Sequence, residues 1–360
     1  MYTLKRLSVR LLRNLAADAW RARTRPVPRM LPVLMTHFVT YRCNFRCSYC
    51  NVRPGGLAPP SRGELGTEDC VRLIGILREA VPHLHLTGGE PLFRPDIVEI
   101  VVAARALGFR SLGLSSNLSL LDERAAVLDH VTDVVASLHA FDEPSYAAGG
   151  SARLMARALE NLATCADLQK EKGFRLTANL VLNPTSLPRI QRILAYCFER
   201  GIAVMVGPEL RFDGTVDPRL LNDPSWRRAI DMLVDLRRSG APLFDGEYYL
   251  RTIRGLGPFR CHPEMMPATS PAGELFHPCR ILASGGPDVL TAGTWREASR
   301  RAEAIGSPPP ACRARCHSGC TIIPSGAAEH PWELIRDFLG RRSPGGAPPD
   351  GGTKSGRAVV

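Results

Sequence analysis

The chain has 360 residues, of which 44% are hydrophobic, and a formal net charge of +11. This length suits one large α/β domain with a smaller appendage, and the lack of any long apolar run predicts no membrane-spanning helix. The basic N-terminus also lacks the continuous apolar segment of a secretory signal, so we expect a cytoplasmic protein.

Most of the positive charge lies at the N-terminus. Residues 1–42 contain nine Lys and Arg residues and one acidic residue, Asp18, which gives this segment +8 of the net charge. Leucines recur there at helical spacing with arginines on the other face, which predicts an amphipathic helix over residues 3–21. Such a helix either makes a peripheral contact with the inner face of an anionic membrane, through residues 1–25, or packs across the open base of the following domain.

From residue 30 onward, short apolar segments alternate with helical patterns. The predicted strands are 33–39, 84–86, 110–115, 133–138, 174–181 and 202–207. The predicted helices are 68–80, 97–107, 121–129, 152–171, 187–200 and 224–238. Six strand–helix repeats predict the α/β class and a partial (β/α)6 TIM-type barrel, in which chemistry takes place at the carboxyl ends of the strands.

These patterns divide the chain into four segments. We expect a basic amphipathic helix in residues 1–29, the barrel in 30–240, a small cysteine-rich extension in 241–340 and a disordered tail in 341–360. The extension is expected to be irregular over 245–325. The tail is rich in Gly and Pro, a composition typical of disorder.

Eight of the 11 cysteines form two clusters, which lie within residues 43–50 and 261–320. Such clusters in a long chain indicate metal binding and not a disulfide framework. The remaining Cys70, Cys165 and Cys197 lie in apolar helical patterns, and we expect them to be buried as small hydrophobic side chains.

The first cluster consists of Cys43, Cys47 and Cys50, directly after the first predicted strand. Three thiolates can bind three irons of a [4Fe–4S] cluster and leave the fourth iron open to another ligand. Two alternatives remain at this point: a zinc site completed by His37 or a distant ligand, and a redox cluster completed elsewhere in the chain.

The CxxxCxxC spacing in this position, with Tyr49 before the third cysteine, resembles the radical S-adenosylmethionine (SAM) superfamily over residues 30–325. The resemblance implies that Cys43, Cys47 and Cys50 are catalytic and hold the SAM-binding [4Fe–4S] cluster. It also implies that SAM is cleaved to methionine and a 5′-deoxyadenosyl radical that attacks the substrate. Tyr49 is then expected near the adenine, and a flavodoxin- or ferredoxin-type protein is the expected reductant.

A second motif closes the second predicted strand. Two glycines allow the backbone to approach a ligand closely, and the carboxylate that follows can accept a hydrogen bond from an ammonium group. The motif resembles the superfamily's GGEP sequence, which binds the SAM amino group. The resemblance therefore implies SAM binding by Gly88, Gly89, Glu90 and Pro91.

Polar residues end the later strands, where relatives place SAM contacts. By position, the resemblance implies cofactor binding by Ser115, Asn117, Ser137, His139 and Asn179. Glu209 ends the sixth strand, and we expect this candidate catalytic residue to face the adenine or the substrate. The alternative for each of these residues is an ordinary polar strand end.

The second cluster offers five ligand candidates for one four-ligand site: Cys261, Cys279, Cys312, Cys316 and Cys320. With the hairpin that precedes Cys279, it resembles the cysteine-rich extensions of SPASM or Twitch type, which implies an auxiliary [4Fe–4S] cluster. We expect the first four cysteines to bind it, with Cys320 next. A structural zinc ion is the alternative, with His277 and His317 as further donors.

The order of N-terminal helix, barrel and C-terminal cysteines resembles the adenosylhopane synthase branch, which implies a membrane-lipid or isoprenoid substrate. The chain departs from that branch at Thr87, where the branch has proline, and in the spacing of the last cysteines. The enzymatic alternatives are small-metabolite dehydrogenation and peptide modification. The usual peptide-recognition domain needs more than the 42 residues that precede Cys43.

Two further classes of protein are less compatible with the sequence. The basic arm would suit nucleic acid, but no RNA-binding motif or aromatic-interleaved basic patch accompanies it, so a nucleic-acid partner is not expected. An iron–sulfur electron carrier or a zinc protein is the non-enzymatic alternative. Neither of these needs the GGEP motif or the barrel.

Overall fold

A computed structural model describes residues 9–25, 30–52, 63–138, 152–283, 285–306 and 316–339. Its strands are β1 (Met35–Thr40), β2 (His83–Gly88), β3 (Ser111–Ser116), β4 (Asp133–Ser137), β5 (Arg175–Leu182), β6 (Ala203–Pro208) and β7 (Ala268–Thr269). They form one parallel sheet in the spatial order β6-β5-β4-β3-β2-β1-β7. Because β6 and β7 are its two edges, the sheet is open, which confirms the predicted partial barrel.

The α-helices within the described ranges are α1 (Val9–Thr24), α2 (Thr67–Ala80), α3 (Ile97–Ala106), α4 (Ala152–Lys172), α5 (Ile190–Glu199), α6 (Pro218–Leu221), α7 (Pro224–Arg238), α8 (Glu247–Gly255), α9 (Val289–Ala292), α10 (Trp295–Ile305), α11 (Gly319–Glu329) and α12 (Pro331–Leu339). In the barrel they follow the predicted helices closely, because apolar residues three and four positions apart form one buried face. None of them is both long and apolar enough to cross a membrane.

The predicted helix over 121–129 is wrong. This segment forms a short 3-10 helix at Ala125–Asp129 instead. The turn ahead of it is held in a non-helical conformation, because the Ser119 N–H donates to Asn117 Oδ1 at 2.9 Å and Leu118 has a φ of 62°. Hydrogen bonds from side chains to the nearby backbone compete with those of a helix.

Alternate residues of each strand face opposite sides of the sheet. Leu84 and Leu86 of β2 belong to the main hydrophobic core, which the sheet forms with its flanking helices. His85 and Thr87 therefore face the inner side of the barrel. The same alternation places further polar side chains on this inner side, namely Ser115, Ser137, Thr177 and Asn179.

The three isolated cysteines are buried as predicted. Cys70, Cys165 and Cys197 are each 0% exposed. Cys70 Sγ lies 3.5 Å from His37 Nε2, and His37 Nδ1 is hydrogen bonded to Thr269 Oγ1 at 2.9 Å. Both ring nitrogens of His37 are therefore engaged inside the core, so His37 is not placed to complete a metal site in the first cysteine cluster.

The C-terminal extension is more regular than predicted. Residues 245–325 contain α8, α9, α10 and α11, so the expectation of an irregular segment is wrong there. Strand β7 pairs with β1, with Ala268 opposite Thr36, and joins the extension to the barrel sheet. A strand of two residues has no periodicity along the chain, and only its pairing partner defines it.

Helix α1 packs against the body of the protein. Leu11 is 5% exposed, and Asn14 Nδ2 donates to the carbonyl of Pro32 at 2.7 Å. Both carboxylate oxygens of Asp18 accept the N–H of Leu31, at 3.0 and 3.1 Å. Burial raises the pKa of Asp18 to about 6, and these hydrogen bonds oppose the shift. The helix is thus tied to the segment that leads into β1.

The helix extends to Thr24, beyond the predicted end at residue 21, and the beginning of the predicted span lies outside the described residues. The described part of the helix packs against α11 and the segment before β1, whereas packing across the open base of the barrel stays a prediction. Val9, Leu12 and Trp20 remain exposed on the other face. The predicted tail over 341–360 also lies outside the described residues.

Candidate active site

The cysteine loop, residues 41–50, leaves the carboxyl end of β1. None of its three thiols is in a disulfide with another described residue, and the Phe45 N–H donates to Cys43 Sγ at 3.3 Å. Desolvation, with smaller effects of Glu90 and the other two thiols, raises the pKa of Cys43 to about 12. Because only the thiolate is a ligand, iron binding has to displace this proton.

The donor set of this loop fits a [4Fe–4S] cluster. Three thiolates would bind three different irons, so their sulfur atoms are expected farther apart than the donors of a single ion. In the part of the chain that the structure describes, no three His, Cys, Asp or Glu side chains are close enough to hold one metal ion. Cys43, Cys47 and Cys50 remain the residues predicted to hold the cluster.

The Gly-Gly turn after β2 lies directly on the cysteine loop. The Gly89 N–H donates to the carbonyl of Thr40 at 2.8 Å, and the Glu90 N–H donates to that of Arg42 at 2.9 Å. A Cβ atom at Gly88 or Gly89 would collide with these carbonyl oxygens. Both glycines are therefore required for the contact between the two motifs, whatever they contribute to SAM.

Glu90 is buried, with 1% exposure, beneath this turn. Its Oε1 accepts hydrogen bonds from Ser116 Oγ at 2.7 Å and from the Leu92 N–H at 3.0 Å, and its Oε2 accepts the Asn117 N–H at 2.7 Å. Burial raises the pKa of Glu90 to about 7, although these hydrogen bonds oppose the shift. A ligand ammonium nearby would favour the carboxylate, so the predicted contact with the SAM amino group remains chemically consistent.

Two predicted cofactor residues at the strand ends face the inner side in register. Ser137 of β4 lies opposite Asn179 of β5. Ser115 Oγ lies 2.7 Å from Nε2 of His85, a residue that sequence reasoning missed. Burial lowers the pKa of His85 to about 4, so this imidazole is neutral at physiological pH.

The remaining candidates either contact other side chains of the protein or lie outside the described residues. The side chain of Asn117 is hydrogen bonded within the protein, to Asn44 and Ser119. Glu209 Oε2 accepts a hydrogen bond from Asn183 Nδ2 at 2.9 Å, which joins the ends of β6 and β5. His139 lies outside the described residues. The cofactor contacts of these residues stay predictions.

Two charged residues hold the start of the cysteine loop, and neither was singled out from the sequence. Glu64 accepts the Tyr41 N–H at 3.2 Å and forms an ion pair with Arg42 at 3.3 Å. Arg94 is 4% exposed and donates to the carbonyl of Val39 at 2.8 Å. Its position in the sequence, four residues after Glu90, could have identified Arg94 as a structural residue of the site, because a charged residue in an apolar segment needs a buried partner.

Two segments of the second cysteine cluster meet at the loop that follows β6. The Cys316 N–H donates to the carbonyl of Gly214 at 2.6 Å, and a Cβ atom at Gly214 would lie 2.5 Å from Cys316 Sγ and 3.1 Å from Ile281. Ile281 is two residues from Cys279. The chain segments of two candidate ligands are therefore adjacent.

The segments that carry the other two described cysteines, Cys261 and Cys320, also contact each other. The N–H of His262, next to Cys261, donates to Ser325 Oγ of α11 at 2.9 Å, and Cys320 lies in the first turn of the same helix. Cys312 lies outside the described residues. The set of four ligands thus stays a prediction.

The two histidines that favoured zinc in the extension have other partners. His277 Nε2 lies 2.6 Å from the carbonyl of Gly306, and His317 Nε2 lies 2.8 Å from that of Gly257. Each Nε2 therefore donates to the backbone, which leaves only Nδ1 of each ring as a donor to metal.

Comparisons with known proteins agree with this site. Residues 38–206 match the model of the Radical SAM superfamily. GTP 3′,8-cyclase 2 of Mycobacterium tuberculosis is 29% identical over 301 residues, which cover 77% of this chain and 75% of that protein. Molybdenum cofactor biosynthesis protein 1 of Bos taurus is 43% identical over 81 residues, 22% of this chain. The chain matches only 13% of the length of the bovine protein.

Solved structures share the fold. SuiB of Streptococcus suis bound to S-adenosylmethionine superposes with a TM-score of 0.54 and 16% identity, over 73% of this chain and 63% of that chain. The structure of anSMEcpe with bound AdoMet gives a TM-score of 0.56 and 14% identity, over 85% and 96% of the two chains. Fold and site together define an iron–sulfur enzyme that uses SAM. Residues 38–206 form a radical SAM domain, which confirms the predicted enzyme class and its [4Fe–4S] and SAM cofactors.

Proposed function

We propose that this enzyme uses SAM-derived radical chemistry to modify a polar small molecule bound on the inner side of the barrel. When bound, the cluster and SAM supply reductive cleavage to a 5′-deoxyadenosyl radical. The residues of the chain bind, orient and shield the reactants. The observation that carries the proposal is the polar inner face of the sheet.

In this proposal, each role at the site falls to residues that the sequence singled out. Cys43, Cys47 and Cys50 bind iron, and the Gly88–Pro91 turn receives the methionine end of SAM. Ser115, Ser137 and Asn179 hold the ribose or carboxylate. Tyr49 packs at the adenine, and Glu209 contacts the adenine or the substrate.

The inner face favours a polar substrate. It carries the His85–Ser115 pair, and deeper in the barrel Arg175 forms an ion pair with Asp133, which also accepts a hydrogen bond from Thr132 Oγ1 at 2.6 Å. Burying such groups under an apolar molecule is unfavourable unless their hydrogen bonds are kept. The mycobacterial relative is by name a GTP cyclase, and GTP is a polar small molecule.

The lipid substrate implied by the adenosylhopane synthase resemblance stays a prediction without support from these observations. Membrane contact through residues 1–25 also stays a prediction without support, because Leu11 of the expected leucine stripe is buried against the protein. Peptide modification rests on likeness of fold alone. A flavodoxin- or ferredoxin-type reductant remains the expected electron donor.

We also propose an auxiliary [4Fe–4S] cluster in the extension. Its support is the adjacency of the segments that carry Cys279 and Cys316, and the contact between the segment of Cys261 and the helix that carries Cys320. A total of about eight irons in the reconstituted enzyme would agree with two clusters.

The substrate class can be tested with enzyme reconstituted under anaerobic conditions, SAM and dithionite. Separate incubations receive the polar-metabolite fraction or the lipid fraction of a cell extract, and 5′-deoxyadenosine and new products are measured by mass spectrometry. We expect the polar fraction to accelerate 5′-deoxyadenosine release and to yield a product. Acceleration by the lipid fraction alone would contradict the substrate proposal, whereas no SAM cleavage in either would contradict the radical chemistry. The Cys43→Ala variant serves as the inactive control.

A further inference from the structure

Three polar side chains form a closed ring of hydrogen bonds beside the cysteine loop. Asn44 Nδ2 donates to Ser119 Oγ at 2.8 Å, and Ser119 Oγ donates to Asn117 Oδ1 at 2.6 Å. Asn117 Nδ2 then donates to Asn44 Oδ1 at 2.9 Å. Each side chain donates to the next, so the orientation of all three is determined.

The ring joins the cysteine loop to the turn after β3. Asn44 directly follows Cys43, whereas Asn117 and Ser119 flank Leu118, which is 2% exposed and has a φ of 62°. This left-handed conformation is unfavourable for leucine and persists only where the surroundings enforce it. The Leu118 N–H donates to Ser116 Oγ at 2.8 Å, which helps to hold the turn.

The same turn is attached to the GGEP motif. The backbone N–H of Asn117 donates to Glu90 Oε2 at 2.7 Å, and Ser116 Oγ donates to Glu90 Oε1, also at 2.7 Å. One hydrogen-bonded network therefore runs from the residue after the first iron ligand to the carboxylate expected at the SAM amino group.

We propose that Asn44 and Ser119 are positioning residues, which set the cysteine loop relative to the SAM-binding turn through this ring. The inference rests on the proposed function, because it assumes that both elements serve the same bound SAM. Neither residue contacts iron through its side chain in this role. Their side chains orient the two loops, as hydrogen-bond partners of metal-site residues do in other proteins.

A closed ring makes a specific prediction about coupling. Removing any one member leaves the hydrogen-bonding groups of its neighbours unpaired, so the ring is lost as a unit. Two residues that act through the same ring should therefore show strongly non-additive effects, whereas independent residues should show additive ones.

The test compares reconstituted parent enzyme with Asn44→Ala, Ser119→Ala and the double variant. Asn222→Ala is the matched control, because Asn222 is an exposed asparagine at the end of α6 and is not part of the ring. For each protein we would measure iron content, thermal midpoint, the SAM dissociation constant and the change in the electron paramagnetic resonance spectrum of the reduced cluster on adding SAM.

We expect about a tenfold rise in the SAM dissociation constant for each single variant and no further rise for the double variant. Iron content should stay at the parent value, while the SAM-induced spectral change should be altered. An unchanged SAM dissociation constant in both single variants, or multiplying effects in the double variant, would overturn the proposal. If iron content fell together with SAM binding, Asn44 and Ser119 would have a purely structural role, and this result would also overturn the proposal. A parent enzyme that binds no SAM would instead contradict the proposed function.

Discussion

Gly89 and Arg42 pass each other so closely that a Cβ atom on Gly89 would collide with the carbonyl oxygen of Arg42. We therefore expect Gly89→Ala to separate the SAM-binding turn from the cysteine loop and to weaken SAM binding by at least about tenfold. Isothermal titration of the reconstituted enzyme with SAM measures this effect. Gly75→Ala is the matched control, because a Cβ atom at Gly75 in α2 meets nothing within 4 Å.

The control should bind SAM as the parent does, and its stability should rise by up to about 1 kcal/mol, since alanine favours a helix over glycine. Equal SAM affinity in the Gly89→Ala and Gly75→Ala variants would show that the close contact has no role in binding.

The first cysteine cluster should account for about four of the irons bound after reconstitution. Replacing Cys43, Cys47 and Cys50 together by Ala should remove these irons and abolish methionine release in the presence of dithionite. Cys165→Ala is the control, because that thiol is 0% exposed in α4 and should leave the iron content unchanged. Tight zinc at the first cluster of the parent, with no iron, would disprove the assignment.

The buried carboxyl of Glu90 should make stability depend on pH. Burial raises its pKa from 4.5 to about 7, so protonation favours the folded state. Its stabilising contribution is complete below about pH 4.5 and is lost as the pH rises through about 7. Between these limits, the unfolding free energy of the parent should fall by about 3 kcal/mol relative to that of Glu90→Gln, which does not titrate.

Urea unfolding of the iron-free protein under reducing conditions, from pH 4.5 to pH 8, measures this difference. Other groups titrate equally in both proteins, so only the difference between the two curves reports on Glu90. Parallel curves over this range would mean that the carboxyl of Glu90 keeps an ordinary pKa.

Helix α1 offers two adjacent leucines with opposite surroundings. Leu11 is 5% exposed and Leu12 is 50% exposed. Leu11→Ala should lower the unfolding free energy by about 3 kcal/mol, because it leaves a cavity against the body of the protein. Leu12→Ala should change it by less than about 0.5 kcal/mol. Urea unfolding of both variants measures these values.

Sedimentation with anionic vesicles at low and high salt extends the same comparison. If α1 serves packing alone, neither variant should bind the vesicles at any salt concentration. Vesicle binding that is lost in Leu12→Ala and at high salt would instead restore the membrane contact expected from the basic charge of the segment.

The sequence by itself determined the parts of this protein that depend on short stretches of chain. The CxxxCxxC spacing identified Cys43, Cys47 and Cys50, and the Gly-Gly pair identified the turn at Glu90. Strand and helix periods placed six strands and most barrel helices within a few residues of their positions. Each of these signals is local, because periodicity and motif spacing are properties of neighbouring residues.

Only the tertiary structure decided which distant residues meet. The contact of Asn44 with Asn117 joins residues 73 positions apart, and the pairing of β7 with β1 joins segments more than 200 positions apart. Ala22 of α1 packs likewise in one hydrophobic cluster with Ala328 of α11, near the other end of the chain. Such contacts form because the parallel sheet brings the carboxyl ends of successive strands to one edge, and no local pattern specifies which polar side chains then lie within hydrogen-bonding distance.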